Sequence, residues 1–244
     1  MLKKQKKYNK LVAVGCSLTK DNYQKTWPDY LSDLLNLPLD NIGARGAGLD
    51  FLSKRLLSYN LQKDDLIGIM LPSADRFDWY VEDNSFLQEH ALTIAAWQNG
   101  KFPSLLDLDG NNHQTHGFVF SGGNHRGYKK YWYKYFYSQY KAELDYWANV
   151  ILIQNFLETK NIDYFITSAY DKDFFIENKM NVGKINSQNK IIDHVNFNRF
   201  IYYNNKGFVS FSKDNNYSFI KHYPGTEAHK HYAEYLYQNL KKTS

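Results

Sequence analysis

Short apolar runs and helical apolar stripes alternate along the first third of the chain. Lys10–Val14 is a compact apolar run closed by Gly15, the mark of a strand buried on both faces. Thr26 then stands where a helix N-cap is expected, ahead of Trp27, Tyr30, Leu31, Leu34 and Leu35 at helical spacing. Pro28 is tolerated in the first turn of such a helix, and Pro38 lies past its end. A weaker extended stretch reaches Asn41-Ile42. The turn Gly43-Ala44-Arg45-Gly46-Ala47-Gly48 leads into a second helical pattern, with Asp50 as its expected cap and Phe51, Leu52, Leu56 and Leu57 on its apolar face. Leu66–Leu71 reads as another buried strand, stopped by Pro72. Strand, helix, strand, helix, strand predicts a parallel sheet with right-handed crossovers.

The middle of the chain is less regular. Phe86–Trp97 reads as helix, and Phe102–Tyr128, rich in Gly, Asn and His, reads as a loop. A long helical pattern runs over Tyr131–Lys160, with Tyr146, Trp147, Val150, Ile151, Gln154 and Leu157 on one face and Asn161 ending it. Tyr164–Thr167 is the next strand, and Phe200–Tyr203 and Phe208–Phe211 have strand-like composition. The last helix is expected to start at Thr226 as its cap, to bury Ala228, Tyr232, Leu236 and Leu240, and to place Lys241-Lys242 at its negative dipole end. The expected fold is α/β: a three-layer α/β/α sandwich, flavodoxin-like, around a mostly parallel sheet of about five strands. Residues 1–244 form one domain in this reading, with 1–9 a basic tail and 102–128 a loop or lid insertion.

Composition narrows the classes. The 244 residues are 43% hydrophobic, and the mean hydropathy of −0.61 reflects abundant Lys, Asn, Gln, Asp and Tyr. No apolar run approaches the ~20 residues of a membrane span, and the basic start leads into too short an apolar stretch for a secretory leader. The expected location is therefore cytoplasmic. One cysteine excludes an intrachain disulfide framework and a Cys-based zinc site. The net charge of +5 comes largely from the lysine-rich termini. Lys129-Lys130 within Tyr128–Tyr140 interleaves charge with aromatics, but an amphipathic helix explains that better than nucleic-acid stacking.

Val14-Gly15-Cys16-Ser17-Leu18-Thr19 places a serine on a turn after the first strand. Open α/β sheets put their ligands at the carboxyl ends of strands, where a nucleophile can stand clear of its backbone. Near the other end, His222-Tyr223-Pro224-Gly225 precedes the last helix, and His229 lies within that helix. Together with Asn41-Ile42-Gly43-Ala44-Arg45-Gly46, these segments resemble the motif blocks of the SGNH (GDSL-like) hydrolases. Cys16 stands where the family commonly has Asp.

The resemblance implies Ser17 as nucleophile, His222 as its base and the Gly46 amide as an oxyanion donor, with no cofactor. Cys16 is a competing nucleophile, favoured only by thiol reactivity, and His229 is a competing base whose place at the start of a helix suits a packing or capping residue better. The third block departs from the family. Ile69-Met70-Leu71-Pro72-Ser73-Ala74-Asp75-Arg76 has no Asn, so Ser73 stands in as a hydroxyl donor and Arg76 as a contact for an anionic substrate group. With Arg76-Phe77-Asp78-Trp79 after it, this segment resembles a divergent branch of SGNH-like proteins of tailed phages. In the last block the family Asp falls at Phe219, leaving a backbone carbonyl, or Asp193 and Asp214 as distant substitutes, to orient His222. His113, His116 and His125 are a further cluster, read as part of a lid over the site rather than as metal ligands. The expected function is hydrolysis of a carboxylic ester on a small molecule or glycan, a sugar O-acetyl group among the candidates. The alternative is an inactive SGNH-like module that binds a glycan or protein, as a component of a phage virion for example.

Overall fold

The computed structural model describes residues 8–21, 23–81, 116–120, 134–171, 190–220 and 223–243, and all structural statements refer to these. The expected helix over Phe86–Trp97, most of the 102–128 insertion, His113, His125 and His222 lie outside them.

Three of the predicted strands form the heart of the sheet. β1 (Lys10–Gly15) is flanked by β2 (Leu39–Asn41) on one side and β3 (Asp65–Leu71) on the other, and β6 (Asp163–Ser168) follows β3. The order is β2-β1-β3-β6 and every pairing is parallel, with Ala13 opposite both Asn41 and Gly68. Alternate residues of each strand serve opposite faces. Val12, Val14, Ile67, Ile69 and Ile166 pack against α2 (Leu49–Ser58) and α3 (Gln139–Thr159). Leu11, Ala13, Met70 and Phe165 pack against α1 (Trp27–Leu35), α4 (Phe208–Asp214) and α5 (Thr226–Thr243). A sheet covered on both faces explains why its strands read as unbroken apolar runs rather than as alternating ones. Each fully buried Leu, Ile or Val contributes roughly 1.5–3 kcal/mol relative to exposure.

The expected three-layer α/β arrangement is present, with a central sheet of four strands among the described residues. Phe200 adds one parallel bridge to Ile166, and the Ile201 amide donates to the Ile166 carbonyl at 2.8 Å, but the segment does not continue as a strand. Phe208–Phe211, expected as extended, is the start of α4. Its Phe208 and Phe211 are three apart, which places them on one face of a helix, and Asp171 caps the first turn. That carboxylate accepts from the Gly207 amide and the Ser210 hydroxyl, both at 2.8 Å, at the first turn.

The other departures concern helix starts and one strand. Thr26 is the N-cap of α1 as expected, with Asp29 completing the capping box by accepting from the Thr26 amide at 2.8 Å. α3 begins at Gln139 with Ser138 as its cap, later than the pattern over Tyr131–Lys160 implied. It ends where expected, at Asn161 with φ 52°, and the Ile162 amide returns to the Leu157 carbonyl. Thr226 is the first residue of α5 rather than its cap. Within the expected loop 102–128, β5 (His116–Phe120) pairs antiparallel with β4 (Phe77–Val81). A second small antiparallel pair, β7 (Phe219–Ile220) with β8 (Tyr223–Pro224), precedes α5.

Asp50 does not cap α2. Gly48 occupies the N-cap position, and the cap is supplied from β4. The Asp78 carboxylate accepts from the Gly48 amide at 2.7 Å and from the Phe51 amide at 2.9 Å. Asp50 lies within the first turn and pairs with exposed Lys54 at 2.8 Å. Removing a cap of this kind costs about 1 kcal/mol, whereas an exposed i,i+4 pair contributes about 0.3–0.5 kcal/mol. Asp78→Ala is therefore expected to lower the urea midpoint clearly and Asp50→Ala hardly at all. Equal midpoints for the two variants would show that Asp78 is not the cap.

Candidate functional site

The carboxyl ends of β1, β2, β3 and β6 lie along one edge of the sheet, and the loops leaving them are bonded to one another. After β1 the chain turns tightly. The Thr19 amide donates to the Cys16 carbonyl at 2.9 Å and the Lys20 amide to the same oxygen at 3.0 Å. Ser17 sits on this turn, half-buried, and neither its amide nor its hydroxyl has a hydrogen-bond partner among the described residues. Gly15 is required just before it. A Cβ there would lie 2.9 Å from the Met70 carbonyl oxygen and collide with the Thr19 hydroxyl. Cys16 is fully buried in the cluster under α1 and α5, which suits a packing role rather than an exposed thiol.

Thr19 braces the turn, as its position suggested. It is fully buried, its hydroxyl accepts from Trp27 Nε1 at 3.2 Å, and its carbonyl accepts from the Thr26 hydroxyl at 2.6 Å. The same carbonyl accepts from Asn41 Nδ2 at 2.8 Å. Asn41 ends β2, and its Oδ1 accepts from the Gly43 amide at 3.1 Å, so one amide side chain shapes its own loop and holds the Ser17 loop beside it. The Ala44 amide adds a bond to the Gly15 carbonyl at 2.9 Å. Gly46 follows with φ 78°, a left-handed conformation that a side chain would strain, and its amide has no acceptor among the described residues.

The segment after β3 joins the same edge. Arg76 Nη1 donates to the Ala47 carbonyl at 3.1 Å. Burial works against its charge, but Cys16, Tyr170, Asp75 and Tyr223 around it favour the charge, and its pKa stands above the ordinary value. The Arg76 charge also acts on the Tyr170 side chain, which follows β6 and whose pKa burial raises. Ser73 is buried, and its hydroxyl donates to the Asp75 carboxylate. Its proton is thus committed within its own turn. Burial pushes the Asp78 carboxyl up to about 6, against the two amide bonds it accepts and with a further upward contribution from Asp50.

His222 lies in sequence between β7 and β8, and the strand after it is tied to the Ser17 loop. Gln24 Nε2 donates to the Pro224 carbonyl at 3.4 Å, and the Thr226 hydroxyl donates to Gln24 Oε1 at 3.1 Å. Phe219 stands in β7, half-buried, with no carboxylate to offer. Asp214 is paired with Lys206 at 2.7 Å at the end of α4. Asp193 is exposed on a 3-10 turn whose Ile191 and Ile192 pack toward the α3 side of the sheet, across from α5. His116 belongs to β5, and among the described residues no group of three or more His, Cys, Asp or Glu is arranged to hold a metal ion. No described helix is long and apolar enough to cross a membrane.

His229 points into the fold. It is buried, its ring lies 4.7 Å from that of Phe208, and its Nδ1 accepts from the Trp27 amide at 3.2 Å, at the first residue of α1. It joins α5 to the start of α1 as a capping and packing residue. The sequence missed the contributions of Gln24, Asp78 and Tyr170. Asp78 was the most accessible of these, being two residues beyond Arg76 in a segment already singled out.

No protein-family model matches the chain, and no curated protein matches it. Among solved structures, the chain is similar to a protein of the G-D-S-L family from Desulfitobacterium hafniense DCB-2, whose lipolytic activity is itself an inference. That similarity has a TM-score of 0.42 and 12% identity, over 94% of this chain and 98% of the other. The fold itself is an α/β fold with a mostly parallel central sheet between helices.

Burial lowers the His229 pKa from its ordinary value near 6.5 to about 3, so the ring is neutral in the folded protein at neutral pH. In the unfolded chain it takes up a proton below about pH 6.5, so stability falls as the pH drops from there toward about 3, by at most ~1.4 kcal/mol per pH unit. His229→Asn keeps an acceptor for the Trp27 amide and removes the titration. Urea unfolding between about pH 7 and pH 5 is expected to show a shallower loss for this variant. Parallel losses for the two proteins would rule out a buried neutral His229.

Proposed function

We propose that the chain hydrolyses a carboxylic ester, with Ser17 as nucleophile and His222 as its base. The observation that carries this reading is the pair of hydrogen bonds at Gln24, which donates to the Pro224 carbonyl and accepts from the Thr226 hydroxyl and so ties the segment following His222 to the loop that follows Ser17. The unpartnered amides of Ser17 and Gly46 agree with it, since a developing oxyanion needs donors not already spent on the protein.

In this mechanism Ser17 Oγ attacks the acyl carbon and its proton passes to the His222 imidazole. The carbonyl oxygen becomes an oxyanion held by the Ser17 and Gly46 amides. Collapse expels the alcohol, which takes the proton back from His222, and leaves an acyl group on Ser17. Water, deprotonated by the same imidazole, then releases the acid and restores the hydroxyl. Ser73 enters this scheme only if its proton leaves Asp75. An acetyl group on a sugar is the substrate we favour.

One observation favours a second reading, a catalytically silent module that binds a glycan. Asp214 is already held by Lys206, and Asp193 lies on a turn packed toward the α3 side of the sheet, so neither named carboxylate is free beside the start of α5. In a serine protease, disturbing that partner costs ~10⁴ in rate.

Short p-nitrophenyl esters and acetylated sugars separate the two. The wild type is expected to turn them over, Ser17→Ala and His222→Ala to lose at least about a hundredfold, and Cys16→Ser to retain activity. Full activity in Ser17→Ala would remove the nucleophile assignment. A wild type that binds acetylated sugars and releases no acetate would establish the second reading.

A further inference from the structure

Tyr23 and Arg45 meet across the two loops that adjoin Ser17. Tyr23 follows Ser17 in the loop after β1, and Arg45 lies in the loop after β2, directly before Gly46. The Arg45 guanidinium carbon stands over the Tyr23 ring, 5.3 Å from its centre. A neighbour of each residue is bonded into the site. The Ala44 amide, beside Arg45, donates to the Gly15 carbonyl at 2.9 Å, just before the Ser17 turn. Gln24, beside Tyr23, holds Pro224 and Thr226, just after His222.

Neither side chain is buried by the fold. Tyr23 is 78% exposed, and its hydroxyl has no hydrogen-bond partner among the described residues. Its backbone is nevertheless fixed, because its amide donates to Asp21 Oδ1 at 3.2 Å. Arg45 is exposed and forms no ion pair among the described residues, Asp21 being engaged in that turn instead. A second arginine stands on the other side of Gly46, where Arg76 Nη1 donates to the Ala47 carbonyl at 3.1 Å. Positive charge thus flanks Gly46 on both sides.

The negative face of a tyrosine ring attracts the positively polarised C–H groups of a sugar, and a tyrosine loses little freedom on binding. A guanidinium lying over that ring keeps an N–H edge that can grip a carboxylate through two parallel bonds. Side by side, the two groups suit a pyranose that carries a carboxylate.

We propose that Tyr23 and Arg45 form a subsite for an acidic sugar beside the Ser17 turn, with the pyranose on the exposed Tyr23 ring and its carboxylate on Arg45. The proposal rests on the ester-hydrolase reading only for what lies at Ser17, where it makes the substrate an acylated acidic glycan rather than a neutral one. A silent module would bind the same sugar.

Calorimetric titration of the full chain with trigalacturonate and with maltotriose, both α-1,4-linked trisaccharides but only the first charged, tests the subsite without turnover. The wild type is expected to bind trigalacturonate at least about tenfold more tightly, and rising salt should erode that margin. Arg45→Gln should abolish the margin. Tyr23→Ala should weaken both sugars, and Tyr23→Phe, which keeps the ring, should restore them. Lys160→Ala, which removes an exposed cation–π pair with Phe156 just before the amino end of β6, should change neither. Because the substituted side chains are exposed, an unchanged Tm shows that any loss of binding is local. Equal affinity for the two sugars in the wild type, or an undiminished margin in Arg45→Gln, overturns the proposal. A wild type that binds trigalacturonate and hydrolyses no ester keeps the subsite and removes the hydrolase reading. Ester hydrolysis with no preference for the acidic sugar removes the subsite alone.

Discussion

Because the sheet is parallel and has helices on both faces, each crossover must return behind it, and the carboxyl ends of its strands come to lie along one edge. Residues with no neighbour in sequence meet there for that reason alone. The apolar runs of β1, β3 and β6 supply the burial that makes the arrangement stable. The polar groups at the edge are a consequence of it. Ser17, Asn41, Arg76 and Tyr170 each lie at or just beyond the end of a different strand, and only the sheet brings those ends together.

The loops on that edge hold one another through side-chain to backbone bonds. Asn41 holds the Thr19 carbonyl, Arg76 the Ala47 carbonyl, Asp78 the start of α2, and Gln24 the segment before α5. Such bonds fix backbone positions without consuming the Ser17 and Gly46 amides. A rigid edge with unspent donors is what nucleophilic chemistry and tight ligand binding both require. That shared requirement is why the same geometry serves the enzymatic and the binding readings.

Much of the fold was legible because it depends on local composition. The three long sheet strands, the Thr26 cap of α1, the Asn161 end of α3 and the Thr19 brace all follow from residues close together in sequence. The misreadings have a common cause. Asp78 caps α2 from 27 and 30 residues beyond the amides it holds, so Asp50 was the only cap in view. Asp171 holds the first turn of the helix at Phe208–Phe211 from 36 residues before Gly207. β4 and β5 pair across a long insertion that no periodicity could bridge. His229, by contrast, reads as a packing or capping residue from its place at the start of a helix, and the Trp27 amide, 202 residues away, is the partner that the sequence could not name.

The two edges of the central sheet are finished differently. Beyond β6, Phe200 and Ile201 lie against Ile166 and cover part of the ladder. Beyond β2 no further strand pairs among the described residues, yet that strand is only three residues long. Its middle residue, Asp40, is held by Lys10 and by the Tyr59 hydroxyl at 2.6 Å. An exposed strand edge is a template on which a second chain can add itself, and shortness and charge are the usual safeguards against it. With Asp40 at its centre, β2 offers an incoming strand few backbone groups and an anchored carboxylate beside them. The sheet is thereby protected from growing by intermolecular pairing on the side where its ladder is open.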